Sequence, residues 1–418
     1  MGFRITTNMM MNTYRYNLQN STKKLSDARD MVLTQRRFGS YAEDPAAATL
    51  AFRLRRDYVK TSNYLANVKD VYSKFDTAWQ NLHGIVNDLG KTAKDSAIRG
   101  VTGTAGKSRS ALAVDLRETA ESVIQAMNQK LGDHFIFGGN DALNAPFAWS
   151  SDMKTLYYRG VNINAGKVPR PAGDGPGWAQ EIELKSKKGE EFVLDEYGTP
   201  DVKAIEKLRG GALTPADEEW IAYYQDQADY KKLQAMSGEE MYIDLGMGAA
   251  EASPNNPIKG TYFNSALCGI DFVGYGVDED GDPKSLPLIM RELADVFDTW
   301  DEDSDPQGYN PDLAKDTAKG LTSEELAAKA ERLLDKLNAA LDNTTERWVA
   351  LDAQSVYLKT SQTQLETQLD ELNIQILDVE QVDLADAITT FSWQQYCYNA
   401  ALKIGNQLLS QTLIDYMS

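Results

Sequence analysis

GTAGKS, from Gly103 to Ser108, carries the closing letters of a phosphate-binding loop, in which glycine N–H groups cradle a phosphate and a lysine reaches its oxygens. The motif also needs a glycine five residues before Gly106 and a strand leading into it. Val101 holds that position and a helical pattern precedes it, so the segment reads as a turn between helices. DEDSDPQGYNPD, Asp301 to Asp312, places carboxylates at positions 1, 3, 5 and 12 of a calcium-type loop. Pro306 stands where the sharp turn requires glycine, and the short Asp312 stands where a longer carboxylate would reach around the ion. DEDGDP, Asp278 to Pro283, fails at the same point, and its twelfth residue is Ile289. Both read as solvated acidic loops. His83 and His134 are the only histidines and neither belongs to an HExxH pair, which excludes a zinc protease of that type. Cys268 and Cys397 have no CxxC spacing, so there is no thiolate zinc site and at most one bridge. Trp79, Trp348 and Trp393 sit at helical spacings and read as core or interface anchors. No catalytic residue, cofactor site or metal site is expected.

The chain of 418 residues holds 62 acidic and 43 basic side chains, a formal charge of −19. That balance repels phosphate backbones and anionic bilayers, so neither nucleic acid nor membrane is an expected partner. The opening MGFRITTNMMMNTYRY is interrupted by polar residues and is not a secretory signal, and no apolar run reaches the roughly 18 residues of a membrane span. A soluble cytoplasmic protein is the default, unless a route other than a cleaved signal exports it.

The elements that would position these residues are mostly helical. Asp44-Pro45 reads as an N-cap followed by proline at the first helical position. Leu54, Tyr58, Leu65, Val68, Tyr72, Phe75, Trp79, Leu82, Val86 and Leu89 then alternate at spacings of three and four, broken once at Thr61. Such a helix is roughly 70 Å long at 1.5 Å per residue. After a glycine-marked turn, Leu112, Leu116, Val123 and Met127 predict a second helix. Thr322 with Glu325 predicts a capping box opening a long C-terminal helix, whose Leu358, Leu365, Leu372 and Val379 repeat at seven. Between these zones HFIFGG, TLYYRG, EIELKS, EFVLDE and MYIDLGMG predict short strands, interrupted by a helix opening at Thr214-Pro215. The expected fold is mainly α, a long antiparallel helical rod built from both chain ends, with an inserted β-rich α+β domain. Residues 44–132 and 285–380 make the rod and 133–284 the insert. The ends, 1–43 and 381–418, are amphipathic helices. Met11, Tyr14, Leu18, Leu25, Ala28 and Val32 form one stripe; Leu384, Ile388, Phe391, Tyr398, Leu402, Leu409 and Tyr416 form the other. Each stripe needs a partner, either the other terminus or a neighbouring subunit.

Four segments resemble a known family. RITTNMM (Arg4 to Met10), YAEDPAAA (Tyr41 to Ala48), GDHFIFGGNDALNAPF (Gly132 to Phe147) and DLADAITTFSWQQYCYNAALKIGNQLLSQTLIDYM (Asp383 to Met417) are similar to the corresponding stretches of the bacterial flagellin family. The likeness covers about the first 150 and last 100 residues, with Tyr41 and Cys397 standing where small residues are usual. Within the family, IFGG…PF and the LIDYM ending resemble the hook–filament junction protein more than filament flagellin. The resemblance implies a non-enzymatic extracellular component of the flagellum, exported unfolded through its type III channel. The partners it implies are an export chaperone, a hook-side junction protein, flagellin and further copies of the chain in a ring. It also implies end segments that are disordered in the monomer and pair as a coiled coil on assembly.

Overall fold

The computed structural model describes residues 7–102, 108–173, 175–184, 192–246, 248, 251–253, 256–257, 261–300 and 321–417, with the backbone alone at 7–8, 184, 251–253, 256–257 and 408–417. The helices are α1 (Thr7–Thr34), α2 (Pro45–Gly84), α3 (Gly90–Val101), α4 (Arg109–Met127), α5 (Gly177–Leu184), α6 (Val202–Arg209), α7 (Pro215–Ser237), α8 (Gly269–Val273), α9 (Leu286–Thr299), α10 (Ser323–Glu380) and α11 (Leu384–Met417). All strands are short and antiparallel. β1 (Lys130–Leu131) pairs with β2 (His134–Phe135), and β3 (Phe147–Trp149), β4 (Leu156–Tyr158) and β5 (Val161–Asn162) form one sheet in that order. β6 (Tyr242–Ile243) pairs with β9 (Phe263–Asn264), and β7 (Glu251–Ser253) with β8 (Asn256–Pro257). The fold class read from the sequence is the one observed: mainly helical, with small antiparallel sheets in an inserted region and long helices from both ends packed together. The chain forms two compact units, residues 1–66 with 362–418, and residues 67–361.

The predicted helix starts are real and have local causes. Asp44 Oδ1 accepts from Ala47 N–H at 3.0 Å, capping α2 ahead of Pro45. Glu325 accepts from Thr322 N–H at 2.8 Å while Glu325 N–H donates to Thr322 Oγ1 at 3.3 Å, closing the capping box of α10. Thr214 and Asp217 make the same reciprocal pair at α7.

In the first unit α1 and α11 run antiparallel, and the N-terminal part of α2 is joined to the end of α10 by an Arg55–Glu380 ion pair. α1 and α11 are helices packed on each other within one chain, and their pairing buries Ala28, Ala387 and Gly405.

In the second unit the remainder of α2 lies beside α10, with the Trp79 and Trp348 rings 5.6 Å apart and Lys359 over Tyr72. The expected stripe holds from Val68 through Phe75 to Leu82 and then shifts. A π-helical turn over Ile85–Leu89 inserts one residue, so Ile85 is buried while Val86 and Leu89 are only half-buried. Small residues follow in α3. Ala93, Ala97 and Gly100 let it approach closely, and Gly100 lies directly against the Phe297 ring of α9. Leu116, Val123 and Met127 of α4 are fully buried, and α4 packs along α9.

The inserted region departs from the reading in three places. Glu181 to Leu184 alternates like a strand but belongs to α5. Trp178 and Ile182, four apart, enter an aromatic cluster with Trp220, Tyr224 and Ile205. That burial outweighs the local alternation. Val193 makes a single bridge with Pro200, so EFVLDE contributes no strand among the described residues, and α6 was not anticipated.

Candidate functional site

The chemical motifs resolve as follows. Residues 103–107 of GTAGKS and all of 301–312 lie outside the described residues. The second acidic loop is described, and Asp278, Asp280 and Asp282 bring one carboxylate oxygen each within 4.8 Å of one another. A lysine takes the place a metal would have: Lys336 Nζ of α10 lies 2.6 Å from Asp278, 3.0 Å from Asp280 and 2.5 Å from Asp282. Arg332 adds a 2.7 Å contact to Asp282, which is buried. Burial pushes the Asp282 carboxyl up, but the Arg332 and Lys336 hydrogen bonds outweigh it and hold its pKa below the usual range. Asp278 is likewise lowered against its burial, by Lys336 and by the N–H groups of Asp280 and Asp282. Burial opposes the Lys336 charge, and the three carboxylates more than reverse it, raising its pKa.

His83 is exposed and packs against the rings of Trp79 and Trp348, and His134 is exposed on β2. Both cysteines are free thiols. Burial, with Asp271 and Glu239 nearby, pushes Cys268 up to about 12, leaving little thiolate for nucleophilic chemistry.

The expected assembly residues lie on the two end helices. On α1 the half-buried or buried positions are Met11, Tyr14, Leu18, Ser21, Leu25, Ser26, Ala28, Met31 and Val32, which include all six residues of the expected stripe. On α11 the expected residues divide. Phe391 and Tyr398 are half-buried, in register with Ala387, Gln394, Ala401 and Gly405 at spacings of three and four. Leu384, Ile388 and Leu402 are 44, 48 and 42% exposed, and Trp393 and Tyr396 reach 63 and 68%. Reading one stripe through all of these residues is therefore corrected: Phe391 and Tyr398 lie on the seam toward α1, while Leu384, Ile388 and Leu402 flank it and stay exposed. The covered face uses small side chains, so that the Tyr14 ring lies over Gly405, where any Cβ would overlap it. Counting alanine and glycine as seam residues would have found it in the sequence. Leu409 and Tyr416 lie in α11 beyond the described side chains.

Where α1 gives way to α2, and α10 to α11, the two breaks lie side by side. Val382 N–H donates to the Gln35 carbonyl at 3.1 Å and Arg37 N–H to the Glu380 carbonyl at 2.8 Å, a small antiparallel bridge that fixes the register of the helices on either side. The IFGG…PF segment works as an anchor in the second unit. Asn128, after α4, donates to the Phe147 carbonyl at 2.8 Å and accepts from Phe147 N–H at 2.9 Å. The Phe137 carbonyl accepts from Tyr158 Oη–H at 3.0 Å and Gly269 N–H at 2.9 Å.

No family model and no curated protein matches the chain. Among solved structures it is similar to one described as a candidate flagellar hook-associated protein from Vibrio parahaemolyticus, with 11% identity and a TM-score of 0.44, over 81% of this chain and 100% of that one. No helix among the described residues is long and apolar enough to cross a membrane.

Proposed function

We propose that the chain is a structural subunit of the bacterial flagellum of the hook-associated protein 3 type, forming a ring at the hook–filament junction. The observation that carries this reading is the apolar surface remaining on α11 after α1 has covered one of its faces. Leu384, Ile388, Trp393, Tyr396, Leu402 and Ile404 stay exposed on a helix whose other side is satisfied. Exposed apolar side chains recurring along one helix suit a helix that packs against neighbours. The terminal motifs support the same reading, since they resemble those of flagellar axial proteins.

The mechanism is mechanical. End helices pair within a subunit, their outer apolar faces pack against neighbouring copies, and the junction ring adapts the hook-side junction protein to the first flagellin subunits. Before assembly an export chaperone covers the same surface, and the flagellar type III channel delivers the chain outside the cell. No catalysis is involved. A deletion strain tests it: hooks should form, filaments should be missing, and flagellin monomers should accumulate in the medium. If the deletion instead leaves hooks with no flagellin secreted, the chain is filament flagellin; if filaments remain intact, the flagellar reading fails.

A further inference from the structure

Lys74 of α2 lacks the carboxylate partner that lysines in an acidic chain ordinarily find. Its Nζ donates to the Ser265 carbonyl at 2.9 Å, and among the described residues it makes no ion pair. Burial lowers its pKa and outweighs the opposing effect of Cys268. A partly desolvated ammonium with one neutral acceptor is an incomplete arrangement, and an incoming anion would complete it.

The same lysine lines a cleft of about 570 Å³ in the second unit, within the size range of small-molecule sites. Its walls are mostly apolar, with Leu131, Phe135, Ile136 and Met241 contributing. The wall is built before any ligand arrives: β1 and β2 hold Leu131 and Phe135, Lys130 sits 4.4 Å over the Phe135 ring, and Ile136 is buried. Asp70, one turn before Lys74, also lines the cleft and sets it against polyanions, so a single carboxylate fits better than a phosphate ester.

We infer that this cleft binds an amphipathic carboxylate, with an apolar tail against Leu131, Phe135, Ile136 and Met241 and the carboxyl group on Lys74 Nζ. The tail supplies burial and the charge-assisted hydrogen bond supplies selectivity for the acid. This site is separate from the exposed face of α11 and does not depend on the junction reading.

Calorimetric titration of the full chain with decanoate and decyltrimethylammonium below their micellar concentrations, and with decanol below its solubility limit, tests the inference. The titrations are run at about pH 8, where the decanoate carboxyl is fully ionised. Decanoate should bind about tenfold more tightly than decanol, and the ammonium should not bind. Lys74→Met, which keeps the length and apolar stem, should retain decanol binding and bring decanoate down to the same affinity. Met241→Asp should weaken both, with circular dichroism confirming that each variant is folded. Absence of decanoate binding, equal affinity for decanol in the native chain, or an unchanged preference in Lys74→Met would each overturn the proposal.

Discussion

Lys336 places its ammonium among Asp278, Asp280 and Asp282, and Arg332 makes a second contact with the buried Asp282. Removing the lysine leaves carboxylates facing one another with part of their solvation already lost. Lys336→Met should destabilise the chain by roughly 3 kcal/mol near neutral pH, read from thermal or urea unfolding. The sign of its pH dependence follows from both partners. Asp278 and Asp282 are lowered, so their contribution is complete above the ordinary carboxylate range and is lost as pH falls through their depressed values. Lys336 is raised, so its contribution is complete below the ordinary lysine range and is lost only as pH climbs through its elevated value. The gap between native and variant chains should therefore be flat from about pH 5 to about pH 10 and close in acid. A gap that persists unchanged under acid conditions would mean the aspartates are not its source. Calcium should leave the native melting temperature unchanged, since the lysine sits among the would-be ligands.

Close helix packing through small residues is the recurring device among the elements. Gly100 of α3 abuts the Phe297 ring, which is buried. Gly100→Ala improves helix propensity but forces a methyl group into that ring, so overpacking decides the outcome. The expected result is a loss of about 1–3 kcal/mol; a stabilised variant would show that α9 yields easily. The α1–α11 pair uses Ala387, Ala401 and Gly405 for the same purpose. A stripe sought through large apolar residues therefore matched covered positions on α1 and mixed covered with exposed positions on α11. In the inserted region, local alternation in Glu181 to Leu184 suggested a strand, yet Trp178 and Ile182 had an aromatic cluster to enter. Asp217 shows how specific that cluster is: it is buried, accepts from Trp178 Nε1–H at 2.8 Å, and pairs with Arg209 at 2.6 Å.

For the molecule as an assembling subunit, the decisive distinction is between residues that close the chain on itself and residues left for neighbours. Ile388 and Leu402 are exposed, so Ile388→Asp with Leu402→Asp should leave the monomer's melting temperature within a degree or so of native, as surface changes usually do. The same double variant should abolish ring assembly and motility, scored by electron microscopy of purified hooks and by swimming in soft agar. A variant that melts early places these residues in the monomer's own core; one that assembles normally removes α11 from the subunit contact. The helix starts at Asp44, Thr214 and Thr322 and the buried series Val68, Phe75, Leu82 and Leu358, Leu365 were legible from the chain alone, because caps and periodicity are made by residues a few positions apart. Tertiary structure alone decided which face of α11 meets α1, that Glu181 to Leu184 is helical, and that a lysine neutralises the aspartate trio. Each of those outcomes depends on partners distant in sequence, such as Lys336 and Asp282 at a separation of 54 residues, and no local pattern records which distant side chain arrives.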